Sequence, residues 1–172
     1  MTDTRILTLA IAALLLPVVA ACGDDDGGSG PATDFTAVLS GAEEVPAVPT
    51  SATGTADLSV DGDQITYTVN VTDLVNAVVA HIHIEVPGEN GPVRMNLCGT
   101  GAPQPPCVSG TGVLASGTNG TTVGGISFDS LVSAMRTGGA YVNVHTDDGE
   151  GAANTGPGDM IDGEIRGQVL AE

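Results

Sequence analysis

The chain has 172 residues and three histidines, each within a short segment of alternating aliphatic residues. His81 and His83 lie in VAHIHIEV, and His145 lies in AYVNVHT. Residues two apart on a β-strand point to the same face and lie about 6.5–7 Å apart at Cα. Two imidazoles at that spacing can converge on one ion, and a third from a neighbouring strand would complete a three-nitrogen site. Imidazole is a borderline-soft ligand, so this pattern favours copper or zinc.

The strands that carry the histidines decide whether the three side chains meet. Because side chains alternate between the two faces of a strand, Ala80 and Ile82 point into the core and His81 and His83 point away from it. In the second segment the same rule places His145 on the outward face, beside a tyrosine and an asparagine. We therefore expect the three imidazoles to converge outside the aliphatic core if the two strands are neighbours. The alternative is a polar surface patch that binds no metal.

Two cysteines form a second chemical pair. Cys98 and Cys107 lie in LCGTGAPQPPCV, whereas Cys22 follows the N-terminal apolar run. An even pair outside the cytoplasm usually oxidises. A disulfide across this short loop would contribute ~2–3 kcal/mol by the chain-entropy account. Thiolate metal ligands are the alternative, although the chain has no CxxC spacing here.

The remaining chain consists of short alternating segments separated by glycine-rich turns, which predicts an all-β fold, an antiparallel sandwich or barrel. One short helix is predicted in SFDSLVSAMRTGG, with Ser127 as N-cap and Gly138 at its end. The chain has only four aromatic residues, so Val, Leu and Ile must fill the core. The predicted strands are Phe35–Gly41, Thr53–Val60, Gln64–Val71, Val78–Val86, Pro92–Leu97, Val108–Leu114, Ala140–Thr146 and Glu164–Leu170.

The composition limits the partners. The formal net charge is −17, and the sequence contains no lysine. Such an acidic surface repels phosphate backbones, so nucleic acid is excluded as a partner. Acidic surfaces also occur on proteins of salty habitats, and the charge therefore does not identify a ligand.

The N-terminal segment resembles an export signal. Residues 1–21 contain an apolar run too short to span a bilayer comfortably, and the following VAAC is similar to the bacterial lipobox, whose cysteine is acylated. We predict a lipoprotein signal peptide over 1–21, lipidation of Cys22, a flexible acidic tether over 22–33 and a folded domain over 34–171. The protein would then be extracytoplasmic and membrane-anchored, in the periplasm or at the cell surface. Ordinary secretion without a lipid is the alternative.

Three ordered motifs resemble the CHRD domain, the module first described in chordin. They are EVP within FTAVLSGAEEVPAVP, HIH followed by NGPV, and YVNVHT followed by GEIRGQ. The resemblance extends from Phe35 to Leu170 and implies an antiparallel Greek-key β-sandwich or barrel, without implying a settled activity. Two features depart from the family pattern. Glu85 stands where a glycine usually follows HIH, and Asp147–Asp162 replaces a short turn with an acidic insertion. We expect a disordered acidic loop there, with a calcium-binding loop as the alternative.

A fainter likeness concerns the copper-ligand strands of copper–zinc superoxide dismutases. AHIHIEVPG and YVNVHTDDG are similar to their two ligand strands, with His81, His83 and His145 at the matching positions. The bridging and zinc-binding histidines have no counterpart, because no histidine lies between His83 and His145.

These observations favour a lipid-anchored, non-enzymatic binding or envelope module with a three-histidine copper or zinc site. The first alternative is a copper-dependent oxidoreductase of dismutase type. That chemistry needs a positive group to attract superoxide, and the net charge of −17 opposes anion steering. The second alternative is a metal-free structural or adhesion domain.

Overall fold

The computed structural model describes Met1, residues 33–99 and residues 103–172. The predicted signal peptide beyond Met1, the lipidation site Cys22 and nearly all of the predicted tether lie outside the described residues. Among the helices of the described part, none is long and apolar enough to cross a membrane.

The described residues form a strand-rich domain with one α-helix, as predicted. All strand pairs are antiparallel. The elements are β1 (Asp34–Ser40), β2 (Thr53–Asp61), β3 (Gln64–Leu74), β4 (Ala77–Ile84), β5 (Val93–Cys98), β6 (Gly110–Asn119), α1 (Phe128–Arg136), β7 (Ala140–Thr146), β8 (Ile165–Gln168) and β9 (Leu170–Ala171). The sheet order is β5-β4-β7-β8-β1-β2-β3-β6, and β9 pairs with β1.

The sheet curls into a nearly closed barrel. Its two end strands, β5 and β6, approach each other, and the Tyr67 hydroxyl on β3 donates to the Leu97 carbonyl on β5 at 2.6 Å. The Asn119 side chain on β6 donates to the Asn96 carbonyl on β5 at 2.9 Å. Strand β3 lies beside β6 although the chain runs through β4 and β5 before β6 forms, which is a Greek-key connection. The predicted fold class is confirmed.

Period-two alternation fills the interior with aliphatic side chains. Ala80 and Ile82 on β4 and Val142 and Val144 on β7 are fully buried in one hydrophobic core. The helix begins where predicted, because the Ser127 hydroxyl accepts a hydrogen bond from the Ser130 amide at 3.1 Å. Removing this much apolar surface from water is the main favourable term for such a fold.

Strand β7 is buried on both faces, and one of these faces belongs to a buried polar layer. All seven of its residues are buried. Its aliphatic face meets the core, while its other face lies under the chain segments that follow β1, β4 and β7. These segments contact the polar layer through Glu44, Gly91 and Ile161, respectively. The histidines are thus on the predicted face, but loops cover that face.

Three sequence expectations need correction. Strand β6 runs over Gly110–Asn119, later than the predicted Val108–Leu114, because its pairing with β3 extends to Ile65 opposite Asn119. The last predicted strand is divided at Val169, where β8 pairs with β7 and β9 pairs with β1. The acidic insertion is folded by local hydrogen bonds, such as Asn154 Nδ2 to Asp162 Oδ2 at 2.9 Å, where a disordered loop was expected.

Candidate metal centre

Neighbouring strands bring the three histidines together. His81 and His83 lie on β4, His145 lies on β7, and these two strands pair with Val79 opposite His145. The ring centroids are 5.6 Å apart for His81–His83, 5.1 Å for His81–His145 and 6.0 Å for His83–His145. One ring nitrogen of each histidine lies within 4.8 Å of the other two. The convergence expected from strand alternation is therefore present.

Backbone carbonyls orient two of the imidazoles. His83 Nδ1 lies 2.9 Å from the Gly91 carbonyl, and His145 Nδ1 lies 2.8 Å from the Ile161 carbonyl. A carbonyl oxygen only accepts, so Nδ1 must carry the proton in both rings. The lone pair is then on Nε2 of His83 and Nε2 of His145. Hydrogen bonding of the distal ring nitrogen to a carbonyl is the arrangement that fixes metal-ligating histidines in proteins.

The third histidine completes the nitrogen set. His81 Nδ1 lies 3.3 Å from His145 Nε2. Because His145 Nε2 carries a lone pair, His81 Nδ1–H donates to it when no ion is bound. Ligation by His81 Nδ1 would require its proton to move to Nε2, which is a change of tautomer. His81 is also the least buried of the three.

The donor set fits a borderline-soft cation. Metal–nitrogen bonds of 2.0–2.1 Å in tetrahedral geometry place ligand nitrogens about 3.3 Å apart. The His81–His145 pair already has that spacing of 3.3 Å. His83 Nε2 is buried and has no hydrogen-bond partner among the described residues, so its lone pair is unsatisfied there. A buried acceptor without a partner costs free energy that a bound cation would offset.

Burial keeps the imidazoles neutral. Desolvation, followed by the neighbouring charges of His145 and His83, lowers the pKa of His81 to about 3. Desolvation also lowers the pKa of His83 to about 4, against the opposing effect of the Gly91 hydrogen bond. The pKa of His145 is lowered by desolvation as well. Neutral imidazole is the form that binds metal, so these rings are available as ligands at neutral pH.

An aromatic and cationic column supports His83 from one side. The Tyr141 ring stacks on His83 with centroids 4.7 Å apart and planes at 11°. The Arg166 guanidinium carbon lies 3.5 Å above the centroid of the same tyrosine. Arg166 also donates to Asn90 Oδ1 at 3.1 Å and to the Glu89 carbonyl at 2.9 Å. Through these contacts, residues of β7, β8 and the segment after β4 support the imidazole of His83.

The backbone geometry at residue 91 explains the glycine in the NGPV motif that follows HIH. A Cβ at residue 91 would lie 2.1 Å from the Ile84 carbonyl oxygen, so only glycine fits. The Gly91 carbonyl accepts from His83, and its amide donates to the Tyr141 hydroxyl at 3.0 Å. No sequence pattern predicted that Asn90, Gly91 or Tyr141 would support the histidines. The NGPV motif was the signal that could have identified the first two.

A buried carboxyl group lies in the same polar layer. Glu44, from the EVP motif, is 7% exposed. Desolvation raises its pKa from 4.5 to about 7, against the charge of Arg166 and a hydrogen bond from Asn143. Among the described residues, neither Glu44 Oε1 nor Asn143 Oδ1 has a hydrogen-bond partner, although both atoms are buried. No sequence pattern predicted this pair.

The two predicted disulfide cysteines are joined. Cys98 and Cys107 are bonded, with their Cα atoms 5.2 Å apart. Since both sulfurs are used in this bond, the alternative of two thiolate metal ligands is wrong. The bond closes the loop between β5 and β6.

Comparison with known proteins identifies one family that the chain matches. The sequence model of the CHRD domain matches residues 35–153, which is more than half of the chain and includes all three histidines. Among curated proteins, none matches the chain.

Proposed function

Because the chain belongs to the CHRD domain family, we propose that it is a CHRD module of the cell envelope that binds copper or zinc through His81, His83 and His145. The proposed module is extracytoplasmic, is held to the membrane by a lipid on Cys22 and acts by binding rather than by catalysis. The observation that carries the metal assignment is the unpartnered, buried Nε2 of His83 among converging imidazoles.

The surroundings of the cluster support a ligand role over a polar patch. Surface histidines are ordinarily free to rotate, whereas His83 and His145 are each 7% exposed and hydrogen-bonded at Nδ1 to a backbone carbonyl. The two Nε2 atoms therefore stay directed at the cluster. Preorganisation of this kind lowers the entropic cost of binding an ion.

The arrangement of charge disfavours the oxidoreductase alternative. An anionic substrate needs a positive group at the metal. The candidate is Arg166, which lies in the GEIRGQ motif that follows the strand of His145. Its guanidinium is covered by Tyr141 and hydrogen-bonded to Asn90 and Glu89, and the residue is 2% exposed. Arg166 thus serves as a structural cation, which supports a binding module.

Metal analysis of the protein purified without an affinity tag tests the proposal. We expect about one equivalent of copper or zinc per chain in the wild type and less than about a tenth of that in His83→Ala, because three nitrogens are needed for a stable site. Thr72→Ala is the control, since Thr72 is exposed on β3. Equal metal content in the wild type and His83→Ala would contradict the site and leave the metal-free adhesion alternative.

A competition assay for superoxide then separates binding from catalysis. The copper-loaded wild type, freed of unbound copper, should consume superoxide no faster than the metal-free wild type. Faster consumption that requires His83 would favour the oxidoreductase alternative.

A further inference from the structure

A second group of potential ligands lies in the acidic insertion between β7 and β8. Asp147, Asp148 and Asp159 each place one carboxylate oxygen within 4.8 Å of the other two. The three are hard oxygen donors, in contrast to the imidazoles of the first site. Like charges at such distances repel each other unless a cation lies between them.

Asp159 provides an independent sign of a missing partner. The residue is 4% exposed. Its Oδ2 accepts from the Thr155 amide at 3.0 Å and from the Thr155 hydroxyl at 2.6 Å. Its Oδ1 is buried, and no residue in the described part of the chain forms a hydrogen bond with it. A buried, unpaired carboxylate oxygen carries a desolvation cost, and buried charges in proteins are normally paired or coordinate metals.

Among the described residues, no basic side chain donates a hydrogen bond to Asp159 Oδ1. The chain contains no lysine. Arg94 donates to the Gly124 carbonyl, and Arg166 donates to Asn90 and Glu89. A cation from solution would give Asp159 Oδ1 a partner and offset the charge of the three aspartates.

We propose that Asp147, Asp148 and Asp159 bind a calcium ion. Calcium takes six to eight oxygen ligands at 2.3–2.6 Å in flexible geometry, which suits three carboxylates on a turn-rich segment with water completing the shell. Asp147 Oδ1 accepts from the Gly149 amide, and Asp148 Oδ1 accepts from the Glu150 amide, so each carboxylate is already held by the backbone. Few protein ligands imply weak affinity, of the order of 10⁻⁴–10⁻³ M as in extracellular calcium modules.

The same segment holds the histidine site. Ile161, two residues beyond Asp159, supplies the carbonyl that accepts from His145. The Met160 amide donates to the Thr146 hydroxyl at 2.9 Å, and the Thr146 amide donates to the Met160 carbonyl at 3.1 Å. Calcium at the three aspartates would therefore fix the segment that orients His145. The calcium site itself does not depend on the proposed copper or zinc site.

Calorimetric titration of the full chain with CaCl₂ tests the proposal. We expect saturable binding of one ion per chain, weakened about tenfold or more in Asp148→Asn and in Asp159→Asn, because each loses a carboxylate ligand. Asp57→Asn is the control: it removes the same charge from an exposed residue on β2 and should bind as the wild type does.

The variants keep the test independent of folding and of the first site. Asp159 is buried and its substitution could unfold the segment, but Asp148 is exposed and its substitution removes only a surface carboxylate. His83→Ala should bind calcium as the wild type does, whatever its copper or zinc content. Absence of saturable calcium binding, or equal weakening in Asp57→Asn and Asp148→Asn, would overturn the proposal.

Discussion

At the scale of single residues, the site depends on which ring nitrogen of each histidine carries the proton and which carries the lone pair. The three imidazoles share one face because of strand alternation, but their useful lone pairs are set by two backbone carbonyls. Glu44 shows the same dependence on surroundings, because burial favours its protonated form against the opposing effects of Arg166 and Asn143. In both cases the protonation state follows from burial and partners rather than from residue type.

The raised pKa of Glu44 predicts a pH-dependent effect of Glu44→Gln on stability. The folded-state pKa of about 7 lies above the usual 4.5. The contribution of the neutral carboxyl is therefore fully present below pH 4.5 and is lost as the pH rises through about 7. Gln stays neutral at every pH. The free energy of unfolding of Glu44→Gln should therefore rise relative to that of the wild type over this interval, by up to about 1.4 kcal/mol per pH unit.

Urea unfolding of chelator-treated protein at several pH values checks this prediction. Glu43→Gln is the matched control, because Glu43 is the exposed neighbour of Glu44. The difference between Glu43→Gln and the wild type should not change in the same way. A Glu44→Gln effect that is equal at pH 5 and pH 8 would show that the carboxyl does not titrate as inferred.

At the scale of elements, the strand pattern was predictable and the loop layer was not. The alternation in VAHIHI and AYVNVHT correctly placed Ala80 and Val142 inside and the histidines opposite, because one aliphatic face must be buried. The cover over the histidines comes from segments after β1, β4 and β7, whose approach depends on tertiary contacts such as Arg166 with Asn90. Local periodicity carries no information on such contacts, so Glu44 and Gly91 were not predicted.

The segment after β4 gives a prediction for Gly91→Ala. The added Cβ would lie 2.1 Å from the Ile84 carbonyl oxygen and 2.6 Å from Glu85 Cβ. The backbone must shift, which should destabilise the fold by about 1–3 kcal/mol and displace the carbonyl that accepts from His83. Metal affinity should fall about 10- to 100-fold, the usual effect of losing an outer-shell partner.

Gly139→Ala is the control for this substitution. A Cβ at Gly139 would make only ordinary contact, 3.6 Å from the Ala134 carbonyl. Thermal unfolding and competitive metal titration should both leave Gly139→Ala close to the wild type. Unchanged metal affinity in a folded Gly91→Ala protein would show that the carbonyl does not orient His83.

At the scale of the whole molecule, the alternating segments predicted the fold class, but the pairing of distant strands determined where the site forms. Four aromatic residues and many glycines are consistent with a barrel whose interior is filled by small aliphatic side chains. The adjacency of β4 and β7 is a long-range pairing across the Greek key, which residue spacing alone does not specify. The same limit explains the shifted β6 and the divided last strand, since both follow from partners distant in sequence.

The last prediction concerns how the whole protein is held in place. Residues 1–21 end in VAA before Cys22, and the proposed lipid on Cys22 would be the attachment to the membrane. One acyl chain gives only marginal binding, so stable attachment requires the several chains that lipoprotein processing adds. The Cys22→Ser protein should therefore move almost entirely from the carbonate-washed membrane pellet to the soluble fraction, while retaining its domain. Ser29→Ala, a substitution in the same acidic tether, should remain in the pellet with the wild type. Fatty-acid labelling should be lost in Cys22→Ser alone. If the Cys22→Ser protein stays in the washed pellet, the proposed lipid anchor is wrong, whereas the histidine and calcium sites are unaffected.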